Sequence, residues 1–189
     1  AMSKSTAAFV RRVRAREKQL SRVGAAQFQR LVNELRARIQ SCNNVMQSDL
    51  VIESFALTAE ALHRVRSIRY YDVQLQAGFA LSAGTVAEIK TGEGKTVTTA
   101  LPAALHAWSG RGVHIATTNT YLSGRDHSEL ADVYRLLGLS SDRLRPQSSA
   151  TEKQASCACD STYGPGFEFG FDFLRDQITL RARGRKRLG

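Results

Sequence analysis

The sequence lacks the features that carry a chain across a membrane. Within its 189 residues, no run approaches the roughly 20 uncharged apolar residues that a membrane-spanning helix needs. The first residues, 1–4, are followed by no apolar secretory core. We therefore expect neither a membrane-spanning helix nor a signal peptide.

Cysteine is also scarce. The three cysteines, Cys42, Cys157 and Cys159, are odd in number, which does not suggest a disulfide framework. Reduced thiols of a cytosolic protein are the simpler interpretation. A zinc site usually takes four ligands, and the C-x-C pair has no second pair to join it. The histidines are scattered, so we expect no metal site from these groups: His63, His106, His114 and His127.

Acidic residues are few relative to basic ones. The chain has 17 Asp and Glu against 27 Lys and Arg, a formal net charge of +10. Positive charge concentrates in residues 4–38 and in the tail, residues 181–189. Such segments favour anionic partners: lipid headgroups, nucleic acid or an acidic protein face. A solvated basic surface is the alternative, and charge alone does not choose between them.

Apolar residues make up 42% of the chain, enough for a packed core. The first part predicts helices over 6–23 and 25–40, and a third that begins near Ser48 or Asp49 and passes Val65. The second helix carries an apolar stripe at three- and four-residue spacing: Phe28, Leu31, Val32, Leu35 and Ile39.

After residue 70 the pattern alternates between strands and helices. We predict three strands, at residues 85–89, 112–118 and 156–163. The predicted helices are 95–108, 127–137 with Gly138 as its C-cap, and 167–178, and residues 140–150 resemble a polar loop. Alternating strands and helices indicate an α/β fold with a parallel sheet. Three strands are few for such a sheet, which suggests a truncated domain.

The most informative segment is residues 89–96, IKTGEGKT, between a predicted strand and a predicted helix. Gly92 and Gly94 allow backbone conformations and close ligand approaches that a Cβ would prevent. The loop amides and the helix N-terminus then attract phosphate. Lys95 supplies a charge for the β- and γ-phosphates, and the Thr96 hydroxyl supplies a ligand for Mg²⁺.

This loop departs from G-x-x-x-x-G-K-[ST] in one place, because Ile89 occupies the first glycine position. It fits the helicase-like variant with the core T-G-x-G-K-T. The alternative, a glycine turn followed by a surface lysine, does not explain the whole strand, loop, Lys-Thr and helix arrangement. We therefore expect ATP or ADP to be bound by the loop residues: Thr91, Gly92, Glu93, Gly94, Lys95 and Thr96.

Three segments that flank this loop carry longer motifs. Residues 66–75, RSIRYYDVQL, fit the pattern R-x-x-R-x-F-D-V-Q-L, with Tyr71 in place of Phe, and residues 117–126, TTNTYLSGRD, fit T-x-N-x-Y-L-x-x-R-D. Residues 161–176, STYGPGFEFGFDFLRD, are similar to T-Y-G-x-x-x-E-F-G-F-D-Y-L-R-D. These three patterns are those of the SecA family of protein-export ATPases, which the chain resembles over roughly residues 25–180, in the family's order. The last of the three is the most family-specific.

The resemblance implies the fold and the remaining ligand contacts. It implies a partial RecA-like P-loop NTPase domain over residues 69–180, preceded by a helical segment, 1–68, and followed by a disordered basic tail, 181–189. The family's adenine-reading glutamine corresponds to Gln74, whose side-chain amide offers both a donor and an acceptor. Tyr71 and Arg69 are expected to wall the base pocket, and Arg125 is a further candidate for nucleotide contact.

The resemblance also implies an activity, ATP hydrolysis that moves unfolded preprotein through a membrane channel. The expected location is the cytoplasmic face of a bacterial inner membrane. The expected partners are the channel, the preprotein, the rest of the SecA chain and an anionic lipid surface. Departures from the family at residues 70–71, 82–84 and 165–166 suggest a divergent or accessory member.

Hydrolysis normally needs an acidic D-E pair that ends an apolar strand, the Walker B motif. The sequence contains no such pair: Asp160 is followed by Ser161, and Asp172 and Asp176 fall on a predicted helix. The second RecA-like domain with its arginine fingers is also absent. We therefore expect this chain alone to bind nucleotide weakly and to hydrolyse little.

Three alternatives remain open. The basic helix 6–23 either contacts anionic lipid and the channel or docks on other parts of the protein. The T-G-E-G-K-T core and the positive charge also allow a nucleic-acid helicase, although residues 161–176 argue against it. The third possibility is an interaction module that binds nucleotide and never hydrolyses it.

Overall fold

The computed structural model describes residues 4–182 and 184. It begins with three helices: α1 (Lys4–Leu20), α2 (Ala25–Ser41) and α3 (Ser48–Arg66). All three confirm the helices predicted from the apolar spacing, although the N-cap of α3 is Gln47 rather than Ser48 or Asp49. The α3 helix is buried along most of its length, because α1, α2, α5 and α6 pack around it.

The second part of the chain alternates helices with short strands. Its elements are α4 (Asp72–Ser82), α5 (Lys95–Ala107), β1 (Val113–Thr117), α6 (Thr120–Leu136), β2 (Ser141–Arg143), α7 (Ala150–Cys157), β3 (Ser161–Pro165) and α8 (Gly166–Ala182). The strands form one parallel sheet in the order β1-β3-β2. The α/β class and the parallel sheet are confirmed.

The strand predicted at residues 85–89 is wrong. The segment is irregular, and the side chain of Val86 is 97% exposed. A strand needs a hydrogen-bonded neighbour, and in the described sheet β1 and β2 both pair with β3. The β-prone residues of this segment therefore have no partner strand, and they lead into the loop as an irregular connection.

Two further boundaries differ from expectation between residues 140 and 165. The predicted strand 156–163 begins only at Ser161, because α7 continues to Cys157 from a capping box between Ser149 and Glu152. Cys159 lies between these elements rather than in the predicted strand. The predicted polar loop contains β2, which pairs with the start of β3.

One hydrophobic core extends across the predicted boundary between residues 68 and 69. It joins Phe28 and Phe55 of the first helices to Leu101, Trp108 and Tyr134 of the α/β part. The boundary itself stays a prediction. Of the predicted disordered tail, Arg181 and Ala182 belong to α8, while residues 183 and 185–189 lie outside the described residues.

No helix in the described part of the chain has the length and apolar character needed to cross a membrane.

Candidate nucleotide-binding site

The loop before α5 has the backbone that its sequence predicts. Gly92 and Gly94 take positive φ angles of 86° and 79°, a region that favours glycine. The Glu93 carboxylate accepts a hydrogen bond from the Lys90 amide at 3.0 Å, which closes a tight turn. Since Gly94 is the N-cap of α5, the turn delivers the chain directly into the helix.

The first turn of α5 offers backbone donors. Its first intrahelical bond runs from the Thr98 amide to the Gly94 carbonyl, at 3.0 Å. The amides of residues 95–97 therefore have no partner within the helix, as at every helix N-terminus. Such amides, with the positive end of the helix dipole, form a favourable environment for phosphate.

The space around Gly94 favours glycine in addition to its φ angle. A Cβ built at this position would lie 2.4 Å from Nε2 of Gln74 and 3.2 Å from a methyl carbon of Val97. At Gly92 a Cβ would meet nothing within 4 Å. Gly94 thus allows α4 and the loop to touch, whereas Gly92 serves the turn itself.

Lys95 and Thr96 lie at the open side of this turn. Lys95 is exposed, and among the described residues no carboxylate pairs with it. The Thr96 hydroxyl donates to Oδ1 of Asp126 at 3.1 Å. Arg125 donates to the same oxygen from Nε and Nη2, at 2.9 and 2.7 Å. Two predicted site residues, Thr96 and Arg125, therefore share one carboxylate oxygen.

Asp126 is a site residue that sequence reasoning missed. It is the last residue of the segment TTNTYLSGRD, in which only Arg125 is a sequence-based candidate. The motif contains the signal, but only α6 packing against the start of α5 shows that the carboxylate reaches Thr96. Its side chain is 16% exposed, so one face remains open to solvent.

Comparison with known proteins identifies the family. The sequence profile of the SecA DEAD-like domain matches residues 1–187. The chain belongs to this family. It is 39% identical over 175 residues to the protein translocase subunit SecA of Trieres chinensis, covering 93% of this chain and 20% of that protein. For SecA of Desulforudis audaxviator the identity is 42%, over 88% of this chain and 18% of the relative.

A third SecA, from Paracidovorax citrulli, is 47% identical over 137 residues, which are 72% of this chain and 15% of that protein. The chain thus spans a fifth or less of the length of these relatives. The three-stranded parallel sheet with its surrounding helices fits a part of the RecA-like fold of this family.

In this SecA-family domain, Gln74 connects α4 to the loop before α5. Its Oε1 accepts a hydrogen bond from the Tyr71 amide and its Nε2 donates to the Glu93 carbonyl, both at 2.9 Å. The side chain is 8% exposed, so only a small part of the amide reaches solvent. One N–H and one lone pair remain for a ligand, and the adenine-reading role stays a prediction.

The two residues expected to wall the base pocket have different surroundings. The Tyr71 side chain is 74% exposed, so its ring is open for stacking. Arg69 donates to Oε1 of Glu17 on α1 at 2.8 Å, although half of its side chain is exposed. Tyr70, between them, is buried, and its hydroxyl donates to the Val97 carbonyl at 2.6 Å.

The other acidic candidates lie elsewhere. Asp160 accepts hydrogen bonds from Ser140 and forms an ion pair with Arg36, which ties the start of β3 to the connection before β2 and to α2. Asp172 pairs with Lys153 and Arg175, between α7 and α8. A cavity of about 710 Å³ there includes Asp172 and Asp176 but no residue of the loop. The acidic candidates of the sequence, Asp160, Asp172 and Asp176, are thus not at the loop before α5.

The described residues contain no group of three His, Cys, Asp or Glu side chains that could hold a metal ion. A Mg²⁺ ion at Thr96 would therefore take most of its ligands from phosphate and water oxygens, which is usual for Mg²⁺ with nucleotides. The donor set present here, one hydroxyl with a carboxylate beside it, fits an ion of that kind.

Proposed function

We propose that this chain is the ATP-binding part of a SecA-type motor, which couples ATP hydrolysis to protein translocation across a membrane. Family membership supports the motor, and the loop at the start of α5 supports the ligand. The observation that carries the proposal is the contact at Gly94, where a Cβ would collide with Gln74. This position brings the proposed base-reading residue against the loop that is proposed to bind phosphate.

The proposal assigns a role to each of the site residues. The amides of residues 95–97 and the Lys95 ammonium bind phosphate, and Gln74 with Tyr71 and Arg69 binds the base. Thr91, Gly92 and Glu93 shape the turn, and Thr96 with Asp126 faces the Mg²⁺ ion. Mg²⁺ would supply charge neutralisation on the phosphates. Arg125, which shares the Asp126 carboxylate, is proposed to add a second positive charge.

Slow hydrolysis is part of the proposal. The sequence has no D-E pair, and the carboxylate that is hydrogen-bonded to Thr96, that of Asp126, already accepts three hydrogen bonds at one oxygen. No residue near Thr96 in the described chain is thus assigned to position an attacking water.

The rest of the SecA chain, the channel and the unfolded preprotein are the proposed partners of the whole motor, at the cytoplasmic face of a bacterial membrane.

The α1 helix bears on the proposed lipid contact. Three of its arginines, Arg12, Arg14 and Arg16, form ion pairs with other helices of the protein, α3 and α4. Three further basic residues of this region remain exposed: Arg11, Lys18 and Arg22. An anionic lipid surface is therefore proposed to meet this second set, at about 1 kcal/mol per basic residue near the membrane.

The function is tested by titrating the chain with ADP, GDP and single-stranded RNA, and by following phosphate release from ATP. We expect ADP to bind with Mg²⁺, RNA to bind no better when nucleotide is present, and phosphate release to stay near background. RNA affinity that rises with nucleotide would favour a helicase instead. Rapid turnover by this chain alone would contradict the proposed need for further residues.

A further inference from the structure

The segment of residues 69–72 lies between α1 and the phosphate loop. On the α1 side, Arg14 donates to the Tyr70 carbonyl and reaches Oδ1 of Asp72 from Nε and Nη2, at 3.0 and 2.8 Å. Arg14 also donates to Glu17 at 2.9 Å, and Glu17 accepts from Arg69 at 2.8 Å. Four charged side chains thus link this segment to α1, one of them through a backbone carbonyl.

On the opposite side, the same segment contacts the loop. The Tyr70 hydroxyl donates to the carbonyl of Val97, in the first turn of α5. The Tyr71 amide donates to Gln74, which donates in turn to Glu93. The segment therefore joins α1 to the loop and to the helix that follows it.

Glu17 is the buried centre of the charged group. The residue is 3% exposed, whereas Arg14 and Arg69 keep 31% and 50% of their side chains exposed. A buried carboxylate is tolerated when it is paired and hydrogen-bonded, and its removal leaves two guanidinium groups without their common partner. Loss of Glu17 should therefore loosen residues 69–72 more than it disturbs the loop before α5.

We propose that Arg14 and Glu17 of α1 are positioning residues for the nucleotide base. They hold residues 69–72, so that Tyr71 and Gln74 lie beside the loop, and they touch neither base nor phosphate. This inference rests on the proposed nucleotide binding. It makes α1 part of the base site, and it implies that displacement of α1 weakens adenine nucleotides more than phosphate alone.

The chain contains a matched control. Glu53 on α3 accepts two hydrogen bonds from Arg16 of α1, both at 2.7 Å, and its side chain is 16% exposed. Both Glu17 and Glu53 therefore anchor α1 through arginine, but only Glu17 is linked to residues 69–72. Glu53→Gln removes a comparable ion pair and leaves the segment intact.

The test compares Glu17→Gln and Glu53→Gln in the full 189-residue chain, with ADP and with inorganic tripolyphosphate, both in Mg²⁺. We expect Glu17→Gln to raise the Kd for ADP by about fivefold and to change that for tripolyphosphate by less than about twofold. Glu53→Gln should change neither. Melting temperatures of both variants show whether general destabilisation accounts for the loss.

Arg14→Lys provides a second variant in case Glu17→Gln unfolds the chain. Lysine keeps the charge but does not reproduce the branched contacts to Tyr70 and Asp72, so ADP should again weaken selectively. Equal effects of the Glu17 and Glu53 variants on ADP, or an equal loss of ADP and tripolyphosphate with Glu17→Gln, would overturn the positioning role. If the unaltered chain bound neither ligand, the proposed function would fail and this inference with it.

Discussion

The Thr96 hydroxyl and the Asp126 carboxylate form a hydrogen bond of 3.1 Å between the first turn of α5 and the middle of α6. Arg125 donates twice to the same carboxylate oxygen. A hydroxyl proposed to face Mg²⁺ and a guanidinium proposed to face phosphate are thus held by one acidic side chain. The sequence has no D-E pair, and Asp126 is the acidic side chain that the structure brings to the Thr96 hydroxyl.

Asp126→Asn should reduce the benefit that Mg²⁺ gives to ADP binding. The amide still accepts a bond from Thr96, but it loses the charge that attracts the ion and its waters. We expect the ratio of the Kd without Mg²⁺ to the Kd with Mg²⁺ to fall by about tenfold, the effect of one charge-assisted hydrogen bond. Titrations of ADP in EDTA and in Mg²⁺ measure this ratio.

Asp132→Asn is the control for that prediction, because Asp132 is exposed on the same helix and pairs with Arg135 on the surface. It should leave the ratio unchanged. An unaltered Mg²⁺ dependence in Asp126→Asn would assign the carboxylate to packing between α5 and α6 alone.

Gly94→Ala should abolish most ADP binding, since its Cβ would displace Gln74 from the loop as well as strain the backbone. Gly84→Ala is the matched comparison: φ is 77° there, and a Cβ would meet nothing within 4 Å. Both changes carry the left-handed cost of about 1–2 kcal/mol, but only the first should affect the ligand. Calorimetry and urea unfolding of both variants separate the two effects.

Gln74→Ala should weaken ADP more than GDP, because the proposed base contact is specific for adenine. The structure adds a competing role, since Gln74 also joins Tyr71 to Glu93. Competition titrations with both nucleotides distinguish the roles. An equal loss for the two bases would leave Gln74 as a support of the loop and would remove it from base recognition.

Acid should destabilise the fold partly through His127. Burial lowers the pKa of His127 below its ordinary 6.5. A hydrogen bond with Ser141 and the charge of Asp142 raise this pKa in part, whereas the charges of Arg143 and Arg145 lower it further. The folded chain therefore binds fewer protons at this site than the unfolded chain. The contribution of the neutral His127 to the free energy of unfolding is fully present above pH 6.5 and falls as the pH drops through that value. Urea unfolding of the unaltered chain and of His127→Gln, between about pH 7.5 and 5, measures the contribution. A pH dependence identical in both chains would show that the His127 pKa is unshifted.

Local patterns predict part of this fold. The stripe from Phe28 to Ile39 predicts α2 because helix burial follows residue spacing, and the helix is found as predicted. The turn at Gly92 and Gly94 is predictable because few residues other than glycine adopt its backbone.

The parts that fail depend on contacts between distant residues. The β-prone segment 85–89 has no neighbouring strand, while the three polar residues of β2 become a strand because β3 lies beside them. The α4 helix is missing from the sequence-based prediction. Its first turn is closed by the hydrogen bond from the Tyr71 amide to the Gln74 side chain. The Asp126 contact with Thr96 spans 30 residues, and no local pattern reveals it.

The central claim is that the loop before α5 binds the phosphates of a nucleotide through its amides and Lys95. Isothermal titration of ADP with Mg²⁺ into the unaltered chain, Lys95→Ala and Lys90→Ala tests it most directly. Lys90 is exposed in the same loop, so its variant controls for the loss of one positive charge. We predict that Lys95→Ala raises the Kd by at least about tenfold, as expected for one charged phosphate contact, and that Lys90→Ala changes it little. Equal affinity in all three chains would contradict the account.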